Sequence, residues 1–256
     1  MSGIFLFPYL CPVMMKKYLF ILLAFTSCAN KKSVHKQAVI SKPAEQPQPK
    51  EQPLDTIQMG NKTFLIYAID ESPFDPEPAI ESDSAEIKLL NHNENGHVKR
   101  KGKELIITAD NGKHVVMTDK TDIDKDGESY SEYTYTGHLP DIKQYGIRAM
   151  YYESMDYLLV NQANGEIIHT CGPPFISPDK KYFICASYDL EAGFLENGLQ
   201  LYSYLNGKIT PEGEISLEKW GPGQIKWLNN NTLIAEYITL DSAMTKVIKP
   251  VKLVMQ

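Results

Sequence analysis

Phe175-Ile176-Ser177-Pro178-Asp179-Lys180-Lys181-Tyr182-Phe183-Ile184-Cys185-Ala186-Ser187 holds two short apolar runs on either side of a polar turn. Proline presets φ for a turn corner, and Ser and Asp bond their own backbone there. The flanking runs are rich in aromatic and β-branched residues, which suit a pleated, half-buried surface. The stretch reads as strand, tight turn, strand. Gln224 to Glu236 repeats the pattern: Ile225-Lys226-Trp227, a turn at Asn229-Asn230-Asn231, then Thr232-Leu233-Ile234-Ala235.

The same unit recurs along the chain. Glu104 to Thr108 and His114 to Thr118 flank Asn111-Gly112; Asp156 to Asn161 and Glu166 to Cys171 flank Asn164-Gly165; Leu199 to Tyr202 and Lys208-Ile209 flank Asn206-Gly207. Asn-Gly between apolar runs is a strong hairpin signal because both residues tolerate positive φ. Thr63 to Ala68 reads as a first buried strand, with Lys246 to Ile248 and Val251 to Val254 as two closing ones. Ala85 to Leu90 fits either a short strand or a helical turn. No long segment beyond the N-terminal apolar run keeps a 3.6-residue period. The pattern predicts an all-β fold, a small or incomplete β-propeller-like meander of antiparallel hairpins, with a β-sandwich as the alternative.

Ser177-Pro178-Asp179-Lys180-Lys181 resembles the Ser-Pro-Asp-Gly-Lys hairpin of TolB-type and related β-propeller repeats, with Lys180 where that family usually has Gly. The likeness covers about Pro173 to Tyr237. The two copies of the hairpin lie about one blade apart, a blade being ~40–50 residues. The resemblance implies an architecture, and an architecture does not fix a task.

The N-terminal side gives an address. Met14-Met15-Lys16-Lys17 precedes an apolar run from Tyr18 to Phe25, then Thr26-Ser27-Cys28. The run is shorter than the ~20 apolar residues of a spanning helix and fits the hydrophobic region of a signal peptide. The stretch resembles a bacterial lipoprotein signal, in which small residues precede an invariant Cys; Phe25 stands where that motif prefers an aliphatic residue. The resemblance implies that Cys28 is the lipidation site, carrying acyl chains of the palmitate type. Each buried CH₂ adds ~0.8 kcal/mol, so several chains anchor stably. Ala29 after the Cys resembles the sorting pattern for the outer membrane of a Gram-negative bacterium. Initiation at Met14 or Met15, in place of Met1, would put the lysines at the usual position. Ala29 to Pro53 is rich in Pro, Gln, Glu and Lys, a composition that cannot bury a core. The expected organisation is therefore 1–28 signal peptide, 29–53 tether and 54–256 all-β domain.

Composition narrows the partners. A net charge of −6 over 256 residues argues against nucleic acid, which needs a basic face. Lys99-Arg100-Lys101 is the one basic cluster and reads as a solvated turn. The expected partners are the membrane, through the lipid anchor, and an envelope protein, peptide or glycan. Fifteen tyrosines against two tryptophans suit half-buried sheet faces.

Few residues announce chemistry. Asp122, Asp124 and Asp126 alternate before Gly127, with Glu128 next, as hard oxygen ligands do in the first half of a Ca²⁺ loop. The bidentate glutamate of an EF-hand is missing, since its position holds Tyr133. The alternative is a solvated acidic hairpin between His114–Thr118 and Ser131–Tyr135. Cys171 and Cys185 flank the Ser-Pro-Asp hairpin and are either a disulfide or two buried thiols. Glu153, Asp156, Asp189 and Glu191 offer a carboxylate pair for glycoside hydrolysis, the basis of an alternative reading as a glycan or peptide hydrolase. No familiar enzyme motif is present, so no catalytic residue is assigned. Tyr151, Tyr152, Glu191, Phe194 and Trp220 form a candidate aromatic and acidic recognition face.

Overall fold

A computed structural model describes residues 52–72, 74, 84–92, 96–122 and 129–256. The signal segment, Cys28, nearly all of the tether, and Asp124, Asp126 and Glu128 lie outside the described residues. No described helix is long and apolar enough to cross a membrane.

The fold is all-β, four antiparallel sheets and one short helix. The chain opens with a hairpin, β1 (Asp55–Met59) and β2 (Lys62–Ala68). The ambiguous stretch after it is helical, α1 (Ser84–Asn91). The first sheet is β3 (Val98–Lys101), β4 (Glu104–Thr108) and β5 (His114–Thr118). The second is β6 (Ser131–Leu139), β7 (Gln144–Tyr151), β8 (Ser154–Asn161) and β9 (Ile167–Thr170). The third is β10 (Pro174–Ile176), β11 (Tyr182–Ser187), β12 (Gly198–Leu205) and β13 (Lys208–Ser216). The fourth joins β14 (Gly221–Asn229), β15 (Thr232–Leu240) and β16 (Lys246–Met255) to the opening hairpin, in the order β1-β2-β16-β15-β14.

The expected hairpins form where the turn chemistry asks for them. Lys180 adopts φ 60°, the left-handed position that the related repeats fill with Gly. The Ser177 hydroxyl donates to Asp179 at 2.8 Å and accepts the Tyr182 N–H at 3.1 Å, which closes the turn. The internal repeat is structural as well: Phe175–Ser187 is β10–β11 and Gln224–Glu236 is β14–β15, the opening hairpins of the third and fourth sheets.

One expectation is corrected. The closing strands are one strand, because β16 runs through Pro250. The Pro250 carbonyl accepts the Ile69 N–H, so its backbone faces the end of β2 and the missing N–H spares the β15 ladder. Most of the acidic stretch after β5, Ile123 to Glu128, lies outside the described residues. β5 and β6 belong to different sheets, and the connection between them carries an antiparallel bridge at Lys120 and Ser131.

Strand alternation puts one face of each sheet against its neighbour. Leu105, Ile107, Val115 and Met117 of the first sheet meet Tyr135, Ile147, Leu158 and Val160 of the second. Ile142, Tyr157 and Leu159 of the second meet Phe183, Cys185 and Tyr202 of the third. Ile184, Leu199 and Leu201 of the third meet Phe64, Trp220, Leu233, Val251 and Leu253 of the fourth. Each such side chain is worth ~1.5–3 kcal/mol when fully buried. Glycine lets the third and fourth sheets touch edge to edge: a Cβ on Gly213 would lie 2.2 Å from the Gly60 nitrogen.

The basic cluster is a strand and not a turn, and its centre is a tie. Arg100 donates to Glu86 of α1 and to Asp119, each at 2.8 Å, and to the Tyr133 carbonyl. The same carboxylates accept the Tyr135 and Tyr133 N–H groups at 2.8 and 2.9 Å. The three charged side chains are only 15–20% exposed. One guanidinium thus couples the helix and the first sheet to β6. Removing it strands two largely buried carboxylates, a loss at or below the ~3–5 kcal/mol of a fully buried pair. Arg100→Ala is expected to lower stability by ~2–3 kcal/mol in a urea melt; a change below ~0.5 kcal/mol, the range of ordinary surface substitutions, would refute the tie.

Candidate functional site

A cleft of about 290 Å³ opens between the second and third sheets. β8 supplies Ser154, Met155 and Asp156; the end of β9 and the segment after it supply His169, Thr170 and Cys171; the connection between β11 and β12 supplies Phe194, Leu195 and Glu196.

That connection is built on one carboxylate. Asp189 accepts the backbone N–H groups of Ala192, Gly193, Phe194 and Leu195 at 2.9, 3.0, 2.7 and 2.8 Å. Hydrogen bonds to the charged form favour it. The bonds from Leu195 first, then Gly193, Ala192 and Phe194, hold the Asp189 carboxyl down at about 2. Asn197 fixes the far end: its amide donates to the carbonyls of Leu217 and Trp220, and its oxygen accepts the Asp189 N–H at 3.2 Å. Lys246 meets Glu191 at 3.6 Å and sits 4.5 Å above the Tyr188 ring. The loop so fixed holds Phe194 57% exposed at the mouth of the cleft.

The polar wall opposite is set by the β8–β9 register, which pairs Leu158 with His169 and leaves Asp156 diagonal to it. His169 Nδ1 lies 2.8 Å from Asp156 Oδ2. Behind them Gln200 accepts the Cys171 N–H at 2.9 Å and the Tyr202 O–H at 3.2 Å. Burial pushes the Cys171 thiol up to about 12, with Glu196 adding to the rise. Burial also raises Cys185. Both stay protonated at neutral pH, and a protonated thiol is a poor nucleophile. The cleft offers an aromatic ring beside hydrogen-bond donors and acceptors, a surface suited to holding a polar chain.

The remaining sequence candidates are dispersed. Cys171 and Cys185 are free thiols and not a disulfide; the β10–β11 register sets Cys185 opposite Pro174. Trp220 is not on a recognition face. It is 2% exposed and stacks on Tyr237 at 4.4 Å. Tyr151 is half-buried edge-on to Tyr133, whereas Tyr152 is exposed in the β7–β8 turn with Glu153. Glu191 is tied to Lys246. Of the four carboxylates considered for hydrolysis, Asp189 is committed to its loop and Asp156 alone lines the cleft. Asp122 is fully exposed, 3.8 Å from Lys103. Among the described residues no group of three or more His, Cys, Asp or Glu is placed to hold a metal ion. No sequence motif surrounds His169, Glu196 or Gln200, so spacing alone does not single them out.

No protein-family model matches the chain. No curated protein matches it. Among solved structures, the crystal structure of a protein from Lactobacillus plantarum is similar over 57% of this chain, at 14% identity and a TM-score of 0.28. This chain covers 49% of that protein's length, about half. At that TM-score the likeness bears on neither fold nor function.

Because the Asp189 carboxyl is depressed in the folded chain, its contribution to the loop is complete above the ordinary carboxylate range and is lost as pH falls toward 2. The amide resonances of Ala192 to Leu195 are expected to titrate together near pH 2; a midpoint near 4 would show that the four bonds do not hold the loop. Asp189→Ala should speed hydrogen exchange at these amides by roughly tenfold or more, with the sheets unaffected.

Proposed function

We propose that this protein is a membrane-anchored envelope lipoprotein acting as a binding module for a protein, peptide or glycan, without turning it over. The observation that carries the reading is Phe194, an exposed ring on a loop fixed by four backbone bonds to one carboxylate. Preorganised aromatic side chains bind with little ordering loss. The polar groups beside it, Asp156, His169, Ser154 and Glu196, suit an extended polar ligand lying along the cleft.

The anchor belongs to the same proposal. The lipidated terminus at Cys28 and the Pro-rich tether would hold the module off the outer membrane. Its architecture would be an incomplete propeller, each sheet a blade and the opening hairpin completing the last one. Successive meanders and the β2–β16 pairing support that arrangement.

Two measurements test the reading. Labelled palmitate should appear on the wild type and not on Cys28→Ala, which should move from membrane to soluble fractions. Against glycan arrays and peptide libraries, Phe194→Ala should weaken the best hit by about tenfold or more, as loss of an aromatic anchor does. Equal binding by both forms would remove the cleft as the site. Release of product from the hit would favour the hydrolase alternative.

A further inference from the structure

If the cleft between the second and third sheets is the binding site, its size, charge and hydrogen-bonding capacity select the ligand. At about 290 Å³ it lies at the lower end of the ~300–1,000 Å³ that encloses a small molecule. That volume holds one long side chain and leaves little for a run of sugar rings.

The charge of the lining has one sign. Asp156 and Glu196 face the cleft, and among the described residues no Lys or Arg lines it. A smaller depression shares Cys171, Glu196 and Gln200 with the cleft and adds Glu214, again with no Lys or Arg. His169 offsets Asp156, which it meets at 2.8 Å. Glu191, on the same loop as Glu196, is tied to Lys246 at 3.6 Å; Glu196 has no such cation among the described residues. The negative field reaches inward. Burial is the main reason that the Cys171 thiol and the Tyr202 phenol are raised, and Glu196 and Glu214 raise both further.

The hydrogen-bonding groups agree. Gln200 is used at both ends: its oxygen accepts from Cys171 and Tyr202, and its amide donates to Glu214 at 3.4 Å. The Thr170 hydroxyl donates to the Tyr157 and Gly172 carbonyls at 3.0 and 2.9 Å. What remains is rich in acceptors: both Glu196 oxygens and the Asp156 oxygen not bonded to His169, with the Ser154 and Ser187 hydroxyls able to serve either way. A phosphate, sulfate or carboxylate brings acceptors and like charge to this surface. A guanidinium brings five donors and no acceptor.

We propose that the cleft takes an arginine side chain of a partner peptide or protein, its guanidinium stacked on Phe194 and forked to Glu196. The Phe194 ring, 57% exposed at the mouth, offers the face that a cation prefers. Arginine fits better than lysine because its planar fork stacks on a ring and matches a carboxylate at the same time. This inference rests on the reading of the cleft as the binding site and narrows its ligand to one charge class.

The test is a nuclear magnetic resonance titration of the unacylated full chain, Cys28→Ser, read at the Phe194, Leu195 and Glu196 amides. The ligands are acetyl-Gly-Gly-X-Gly-Gly-amide with X as arginine, lysine, citrulline or glutamate. The arginine peptide should bind at least about tenfold more tightly than the citrulline peptide, the neutral isostere, and more tightly than the lysine one. Glu196→Gln, a change at an exposed side chain, should remove about tenfold from arginine binding and leave citrulline unchanged. Asp122→Asn, at a fully exposed carboxylate that does not line the cleft, should change it less than about twofold. Citrulline, lysine or glutamate shifting the cleft amides as strongly as arginine overturns the charge assignment and leaves the cleft standing as a site. Arginine binding that neither Glu196→Gln nor Phe194→Ala weakens overturns it too, by placing the cation elsewhere on an acidic chain. Silence at the cleft amides with all four peptides overturns it; the cleft itself falls only if Phe194→Ala also leaves the best array or library hit unchanged.

Discussion

The ladder between β2 and β16 is the contact on which the rest of the molecule leans. It pairs Phe64 with Met255 through to Ala68 with Val251, joining residues about 190 apart in sequence. Loop-closure entropy grows only slowly with length, but the whole of it opposes this one pairing. The gain is burial. Phe64, Ile66, Val251 and Leu253 are 0–1% exposed and share a cluster with Ile184 and Leu199 of the third sheet. An isolated two-stranded hairpin such as β1–β2 is marginal in water. Docked on β16, it supplies two strands of a five-stranded sheet and covers the edge that β16 would otherwise present.

Much of this architecture is legible in the residues because turn chemistry is local. Asn111-Gly112, Asn164-Gly165, Asn206-Gly207 and the Ser177–Tyr182 turn all sit between paired strands, and Gly112, Gly165 and Gly207 adopt the positive φ that their motif requires. What local chemistry does not reveal is which hairpin lies beside which. Nothing near Lys62 to Ala68 announces β16 as its partner. Pro250 suggests a break, because its lack of consequence depends on how far β2 extends. The opening strand β1 and most of β7 are less visible although turn residues flank them, Gly60-Asn61 after β1 and Pro140-Asp141 before β7, because neither run is continuously apolar.

The candidate site is less legible for a related reason. Trp220 and Phe194 look alike in sequence, as aromatic residues beside Gly and acidic neighbours, yet one is buried against Tyr237 and the other stands in solvent. The difference comes from Gly221: a Cβ there would strike Asn197 and the Tyr188 ring, so β14 is drawn in against the loop and Trp220 goes with it. Asp189 reads as one more loop carboxylate until its four donors converge. Arg100 reads as one of three surface cations until Glu86 and Asp119, contributed from either side in sequence, close on it.

Three separate clusters, rather than one core, hold the sheets together, and each is shared only by successive sheets. Such a molecule resembles a short row of repeats, whose stability is a sum of nearest-neighbour terms. The first sheet has one such neighbour, the second and third have two each, and the fourth is closed on itself by the opening hairpin. Cooperativity is then uneven. The β3–β5 unit is the terminal member, free to open while the other three stay folded, and the Arg100 network is its principal polar restraint. A melt followed at Tyr133 or Tyr145 would report a different transition from one followed at Trp220.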